Sequence, residues 1–111
     1  YSFDNEKIIK DAFSSKFDLT FLSLGEDGHL AGDFNNSIDL GTALCFTNDA
    51  PKHPKKRLSY KASWLLESSM VILIAIGETK KNELKKLING LGIHSRNFNK
   101  KNFNIITNIN L

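Results

Sequence analysis

The apolar positions along the chain fall into two patterns, short near-continuous runs and stretches with an apolar residue every three or four positions. The run FDLTFLSL carries Phe17, Leu19, Phe21, Leu22 and Leu24, which predicts a strand over 17–24 buried on both faces, as parallel strands are. GEDGH is the turn at its carboxyl end. A second strand is expected at TALCF, residues 42–46, followed by TNDAPKHPKK, whose two prolines exclude regular structure. RLSYKA reads as extended, Ser63 as the cap of a short helix over WLLES, and MVILIAI, residues 70–76, as the clearest strand. In GETKKNELKKLINGLG the residues Leu84, Leu87, Ile88 and Leu91 fall at i, i+3, i+4 and i+7, a helix that Gly90 or Gly92 stops. FNIITNI supplies a last strand. At the amino end Asp4 is a good N-cap, and Ile8, Ile9, Ala12 and Phe13 make one apolar face of a helix over 5–14.

Strands that alternate with helices predict an α/β protein of three layers, a mainly parallel sheet flanked by helices, with residues 1–111 as a single domain. Such sheets bind ligands at the carboxyl ends of their strands. Two loops occupy that position, GEDGH after the first strand and GETK after MVILIAI. The chain carries no internal repeat and no low-complexity tract.

Composition narrows the classes without choosing among them. With 111 residues, 41% hydrophobic and 24% charged, the chain is expected to form one modest globular core. A formal charge of +3 suits anionic small molecules and is too weak to argue for nucleic acid. The longest apolar run spans only residues 70–76, so neither a membrane helix nor a signal peptide is expected. Cys45 is the single cysteine, which rules out an internal disulfide and makes the cytoplasm the default compartment. His53 and His94 stand apart from other potential ligands, and no Cys/His spacing suggests zinc; no metal or cofactor is expected.

Taken alone, Gly25-Glu26-Asp27-Gly28-His29 is a turn with one imidazole and two carboxylates, and a bland loop competes evenly with a functional one. Its placement after a buried strand favours function, because the glycine pair lets the backbone turn sharply and aim His29 into the crevice as a general base. Lys80 opens the helix after MVILIAI, where a cation joins the helix dipole in favouring an anion; a merely solvated lysine is the stronger reading by position, since Lys81, Lys85 and Lys86 follow. In PKHPKKRL the cations Lys52, Lys55, Lys56 and Arg57 crowd beside prolines, and most basic loops are simply solvated. Arg57 stands out, since it precedes an alternating segment and could fork onto a carboxylate or phosphate. Cys45, Trp64 and the phenylalanines are most simply core.

Three stretches together resemble the 6-phosphogluconolactonase family, within the glucosamine-6-phosphate deaminase-like superfamily: FDLTFLSLGEDGHLAGDFN, APKHPKKRLSYKASWLLESS and MVILIAIGETKKNEL. Their order and spacing match over about residues 4–91. The resemblance implies half of a Rossmann-type fold of that superfamily and a cytoplasmic enzyme of the pentose phosphate pathway. That enzyme hydrolyses 6-phospho-D-glucono-1,5-lactone to 6-phosphogluconate without a metal. Carried over, His29 is the general base that activates water and Asp27 orients it. Gly25 and Gly28 shape the loop, while Arg57 and Lys80 hold the anionic substrate, with Lys80 the better phosphate ligand.

Departures flank the base: Ser23 stands where the family usually has Gly, Glu26 where it often has Pro, Leu30 for Thr, Gly32 for Ser and Asn35 for Pro. The family's amino-terminal Gly-rich phosphate loop and Asp-Glu-Arg triplet do not occur, so the chain resembles a carboxyl-terminal half. The implied partners are a sugar-phosphate lactone and either a missing amino-terminal half or a fused glucose-6-phosphate dehydrogenase. Two alternatives accompany the lactonase. One is a glucosamine-6-phosphate deaminase or isomerase, which resembles this chain in Asp-Gly-His but has an acidic residue where Phe34 stands. The other is a non-catalytic sugar-phosphate-binding domain or degenerate pseudoenzyme.

Overall fold

The computed structural model describes residues 16–41, 43–95 and 101–111. The helix expected over 5–14 lies outside the described residues. Among the described residues six strands form two sheets. Strands β1 (Leu19–Ser23), β5 (Met70–Ala75) and β6 (Phe103–Thr107) make a parallel sheet in the order β1-β5-β6, and β2 (Ile38–Asp39), β3 (Leu44–Thr47) and β4 (Arg57–Tyr60) make an antiparallel meander. Helix α1 (Ala62–Leu65) follows β4, and a 3-10 turn (Glu78–Lys80) leads into α2 (Lys81–Ile88) between β5 and β6.

This is the expected mixed α/β architecture with a parallel sheet, but the strand expected over 42–46 does not join that sheet. It becomes β3, paired antiparallel with β4 through Leu44↔Tyr60 and Thr47↔Arg57. A short proline-bearing connection returns the chain antiparallel, whereas a parallel neighbour needs a long crossover. The meander and α1 together form the crossover between β1 and β5.

One face of the parallel sheet is buried. Leu22, Val71 and Leu73 pack with Ala62, Leu65 and Leu66 from α1 and its end, and with Leu84 and Leu87 from α2. Each fully buried leucine contributes about 1.5–3 kcal/mol of transfer free energy. Beside this core Phe17, Tyr60 and Trp64 form a ring cluster, with Tyr60 stacked on Trp64 at 4.9 Å and Phe17 edge-on to Trp64 at 4.9 Å. It ties the entry to β1 to β4 and α1.

The other face corrects the expectation of a strand buried on both sides. In β1 burial alternates, and Leu19 and Phe21 point outward, Phe21 with 60% of its surface exposed. Met70 and Ile74 of β5 and Ile106 of β6 lie exposed with them. Register makes these one patch: Leu19 pairs with Met70, Phe21 with Ile72, and Ile74 with Ile106. Continuous apolar character marks a strand fit for burial on both faces, but the burial itself depends on a covering layer, and among the described residues helices cover only one side.

Helix ends also differ from local expectation. Ser63 lies inside α1 and does not cap it; the first N–H, that of Ala62, donates to Asp33 Oδ2 at 2.8 Å from 29 positions away. Of the two candidate stops for α2, Gly90 is the one used. It takes φ +80°, and Leu91 N donates to Lys86 O at 2.8 Å while Gly90 N donates to Leu87 O at 3.4 Å, the Schellman pattern. Leu91 therefore falls past the reversal and is 78% exposed instead of continuing the apolar face.

Candidate active site

Parallel pairing places the two loops side by side. Because Ser23 at the end of β1 lies opposite Ile74 near the end of β5, residues 25–29 and 77–80 leave the sheet at the same edge. Leu24 N extends the ladder by donating to Ile74 O at 3.4 Å. Gly77 N donates to Asn108 Oδ1 at 3.0 Å, so the stretch after β6 pins the GETK loop.

The GEDGH turn is closed on itself. Gly28 N donates to Gly25 O at 3.0 Å and Gly25 N donates to His29 O at 2.9 Å. Leu30, fully buried next in the chain, anchors the turn to the core. Gly28 has φ +90°, where an L side chain is strained, and a Cβ there would come 2.7 Å from Glu83 Oε2 on α2. At Gly25 the reason is space: a Cβ would overlap Cε1 and Nδ1 of the His29 ring. The turn folds so that the imidazole lies against glycine backbone.

His29 is held on three sides. Its Nδ1 is hydrogen-bonded to Asp27 Oδ1, and its backbone N–H donates to the same oxygen at 3.2 Å. Its ring packs on Phe34 with centroids 4.3 Å apart and planes tilted by 33°. Partial burial pushes the Asp27 carboxyl up, but hydrogen bonds from the His29 ring and backbone and the charge of His29 outweigh it and leave Asp27 below the ordinary value of 3.8. An ionised carboxylate can only accept, so in the neutral form of the imidazole Nδ1 carries the proton and Nε2 the lone pair. That tautomer is the one a general base at Nε2 requires.

Basic groups line the same cleft. A space of about 450 Å³ is bounded by Gly25, Glu26, Asp27, His29, Phe34, Pro51, Lys52, Arg57 and Lys80. Lys80 ends the 3-10 turn and its Nζ donates to Ser23 Oγ at 3.4 Å. Arg57 opens β4; its Nε donates to Pro54 O at 3.0 Å and its Nη2 to Lys52 O at 2.9 Å, and its Cζ lies 5.1 Å from the Phe34 ring centroid. The carbonyls of the proline loop thus aim the guanidinium. His29, Asp27, Gly25, Arg57 and Lys80 meet at one cleft, and Gly28 supports it from behind against α2.

Two cleft residues were read differently from sequence. Lys52 belongs to a loop that composition assigns to solvent, and Phe34 is by sequence most simply core. Phe34 is indeed buried, at 5% exposure, but its ring meets the base and the arginine. The legible signal was its place five residues after His29, in the same matched stretch. Other candidates fall away from the cleft. His94 is buried and its Nε2 donates to Asp33 O at 3.0 Å. Burial, reinforced by the Asp33 charge, pushes the Cys45 thiol up to about 12, so it stays protonated and is packing, not a nucleophile. Among the described residues no group of three or more His, Cys, Asp or Glu is placed to hold a metal, and no helix is long and apolar enough to cross a membrane.

The family model described as glucosamine-6-phosphate isomerases/6-phosphogluconolactonase matches residues 3–100. The chain belongs to that family. A probable 6-phosphogluconolactonase 1 of Arabidopsis thaliana is 32% identical over 81 residues, covering 70% of this chain and 30% of the relative. A glucosamine-6-phosphate deaminase of Lactobacillus acidophilus is 27% identical over 104 residues, covering 81% and 42%. The solved 6-phosphogluconolactonase from Trypanosoma cruzi superposes with a TM-score of 0.74 at 26% identity, over 94% of this chain and 47% of its own. The chain therefore spans less than half the length of each of these family members. The fold it shares with the Trypanosoma cruzi structure is the mixed α/β fold with the parallel sheet.

Proposed function

We propose that this chain carries the hydrolytic centre of a 6-phosphogluconolactonase, with His29 as the general base that activates water against the lactone carbonyl of 6-phospho-D-glucono-1,5-lactone. The observation that carries the reading is the Asp27–His29 pair at the mouth of a cleft bearing Arg57, Lys52 and Lys80. Water placed at Nε2 gives up a proton as its oxygen bonds the carbonyl carbon. The tetrahedral oxyanion then collapses, the ring C–O bond breaks, and the imidazolium returns the proton to the departing alkoxide. General-base assistance of this kind contributes about 10²–10⁴ in rate. Lys80 and Arg57 offer positive charge for the phosphate and the developing oxyanion, Lys80 being the better phosphate ligand. The reaction needs neither redox chemistry nor a second substrate besides water.

The deaminase reading ranks below the lactonase because an apolar ring, Phe34, meets His29 where that branch carries an acidic residue. The remainder of the phosphate site is assigned to the other half of the family fold, and the exposed apolar face of Leu19, Phe21, Met70, Ile74 and Ile106 is the surface we assign to its packing. That face adjoins Ser23 and Lys80, so whatever covers it also walls the cleft. A cytoplasmic setting, where Cys45 stays reduced, completes the reading.

The test is lactone hydrolysis followed by acid release, in the chain and in His29→Ala. Loss of hydrolysis in His29→Ala is the expected result. A variant as fast as the parent would refute the assignment, ammonia release from glucosamine 6-phosphate exceeding lactone hydrolysis would favour the deaminase, and stabilisation by 6-phosphogluconate without turnover would favour a binding domain.

A further inference from the structure

We propose that Phe34 is a positioning residue of this cleft, its ring the common surface that sets the His29 imidazole and the Arg57 guanidinium relative to each other. The proposal deepens the lactonase reading and rests on it for the reaction served, while the positioning itself is independent of substrate.

Three observations converge on Phe34. Its ring contacts His29 at 4.3 Å and lies 5.1 Å from Arg57 Cζ, so base and cation share one neighbour. The ring is buried at 5% exposure and its backbone is fixed: Phe34 N donates to Ser37 Oγ at 2.7 Å, and Ser37 Oγ is 2.6 Å from Thr47 Oγ1. Thr47 is itself fully buried and lies opposite Arg57 in the β3–β4 ladder, so ring and guanidinium belong to one rigid frame. Asp27 fixes Nδ1 but leaves the imidazole free to swing about that bond, and Phe34 and Gly25 are the surfaces that stop it.

An aromatic face also does what an aliphatic one cannot. Its negative quadrupole attracts the guanidinium, and attracts the imidazolium that exists only after His29 has taken the proton from water. Arg57 retains its bonds to the Pro54 and Lys52 carbonyls without the ring, whereas His29 loses a wall. The role therefore reads mainly in turnover and only weakly in substrate affinity.

The experiment compares the full chain with Phe34→Leu, Phe34→Met and Phe34→Tyr, measuring kcat and KM for the lactone and the NMR shifts of the His29 ring protons. Thermal melts select variants that fold, and Met keeps the volume if Leu does not. The expected result is a kcat about tenfold lower in Leu or Met with KM changed less than roughly threefold, loss of the ring-current displacement at His29, and recovery of both in Tyr. A folded Leu or Met variant with parental kcat, or with a lowered kcat but unmoved His29 shifts, overturns the proposal. If the parent chain hydrolyses no lactone, the lactonase reading fails by itself. Positioning then stands on displaced His29 shifts in the Leu or Met variant and falls if they do not move.

Discussion

Asp27 and His29, two positions apart, are joined twice: one carboxylate oxygen takes both the backbone N–H of His29 and its ring Nδ1. The geometry is possible because the turn between them passes through Gly28 at φ +90°. It makes the tautomer of His29 a property of the turn, not of a distant partner. Asp27→Asn can turn its amide N–H toward Nδ1 and so favour the wrong tautomer. Lactone hydrolysis is expected to fall by on the order of 10²-fold with KM little changed, a split that steady-state kinetics separates.

The same pair predicts an acid signature. Asp27 titrates below 3.8 in the folded chain, so it adds stability above its unfolded value, and that contribution disappears as pH falls through the folded one. Melting curves of the parent and Asp27→Asn should therefore differ most at neutral pH and converge as pH falls through the lowered folded value of Asp27. A gap that persists undiminished at pH 2 would show that the carboxylate charge is not its source.

Gly25→Ala tests the packing of the base. The added methyl overlaps the His29 ring, so the imidazole must leave its place against Asp27 and Phe34. The expected stability cost is about 1–3 kcal/mol, as for overpacking in general. The loss of hydrolysis should approach that of His29→Ala, and denaturant titration beside kinetics distinguishes a displaced base from a collapsed fold.

Asp33 should behave as a cap despite its distance in sequence. Its Oδ2 accepts the Ala62 N–H, the first of α1, and Asp33→Ala is expected to cost about 0.5–2 kcal/mol in urea unfolding. Asp33→Asn retains a side-chain acceptor and should lose less.

The open sheet face predicts association behaviour. Phe21 and Ile74 are exposed in a contiguous apolar patch, so Phe21→Ser with Ile74→Ser should reduce self-association in sedimentation experiments. Because the side chains are exposed, stability should change by only about 0.5 kcal/mol for each.

Sequence and tertiary structure divide the protein along a physical line. Near-continuous apolar runs located β1 and β5, RLSYKA and FNIITNI marked β4 and β6, and apolar residues at every third to fourth position located α2, because local hydrogen bonding and burial leave their trace in neighbouring residues. The turn chemistry of GEDGH and the strand-end positions of His29 and Lys80 were equally legible, and so was the family through its three matched stretches. Partner choice was not local. Whether TALCF pairs in the parallel sheet or with β4 depends on which strand edge the returning chain meets, and the cap of α1 comes from Asp33, 29 positions earlier. The same holds for exposure: Phe21 and Phe34 are alike as residues, yet one lies on an uncovered face and the other between the base and an arginine's frame. Hydrophobicity is carried by the residue itself. Burial and contact belong to whatever the fold brings beside it, which is why the candidate base could be found by reading and its supporting wall only by folding.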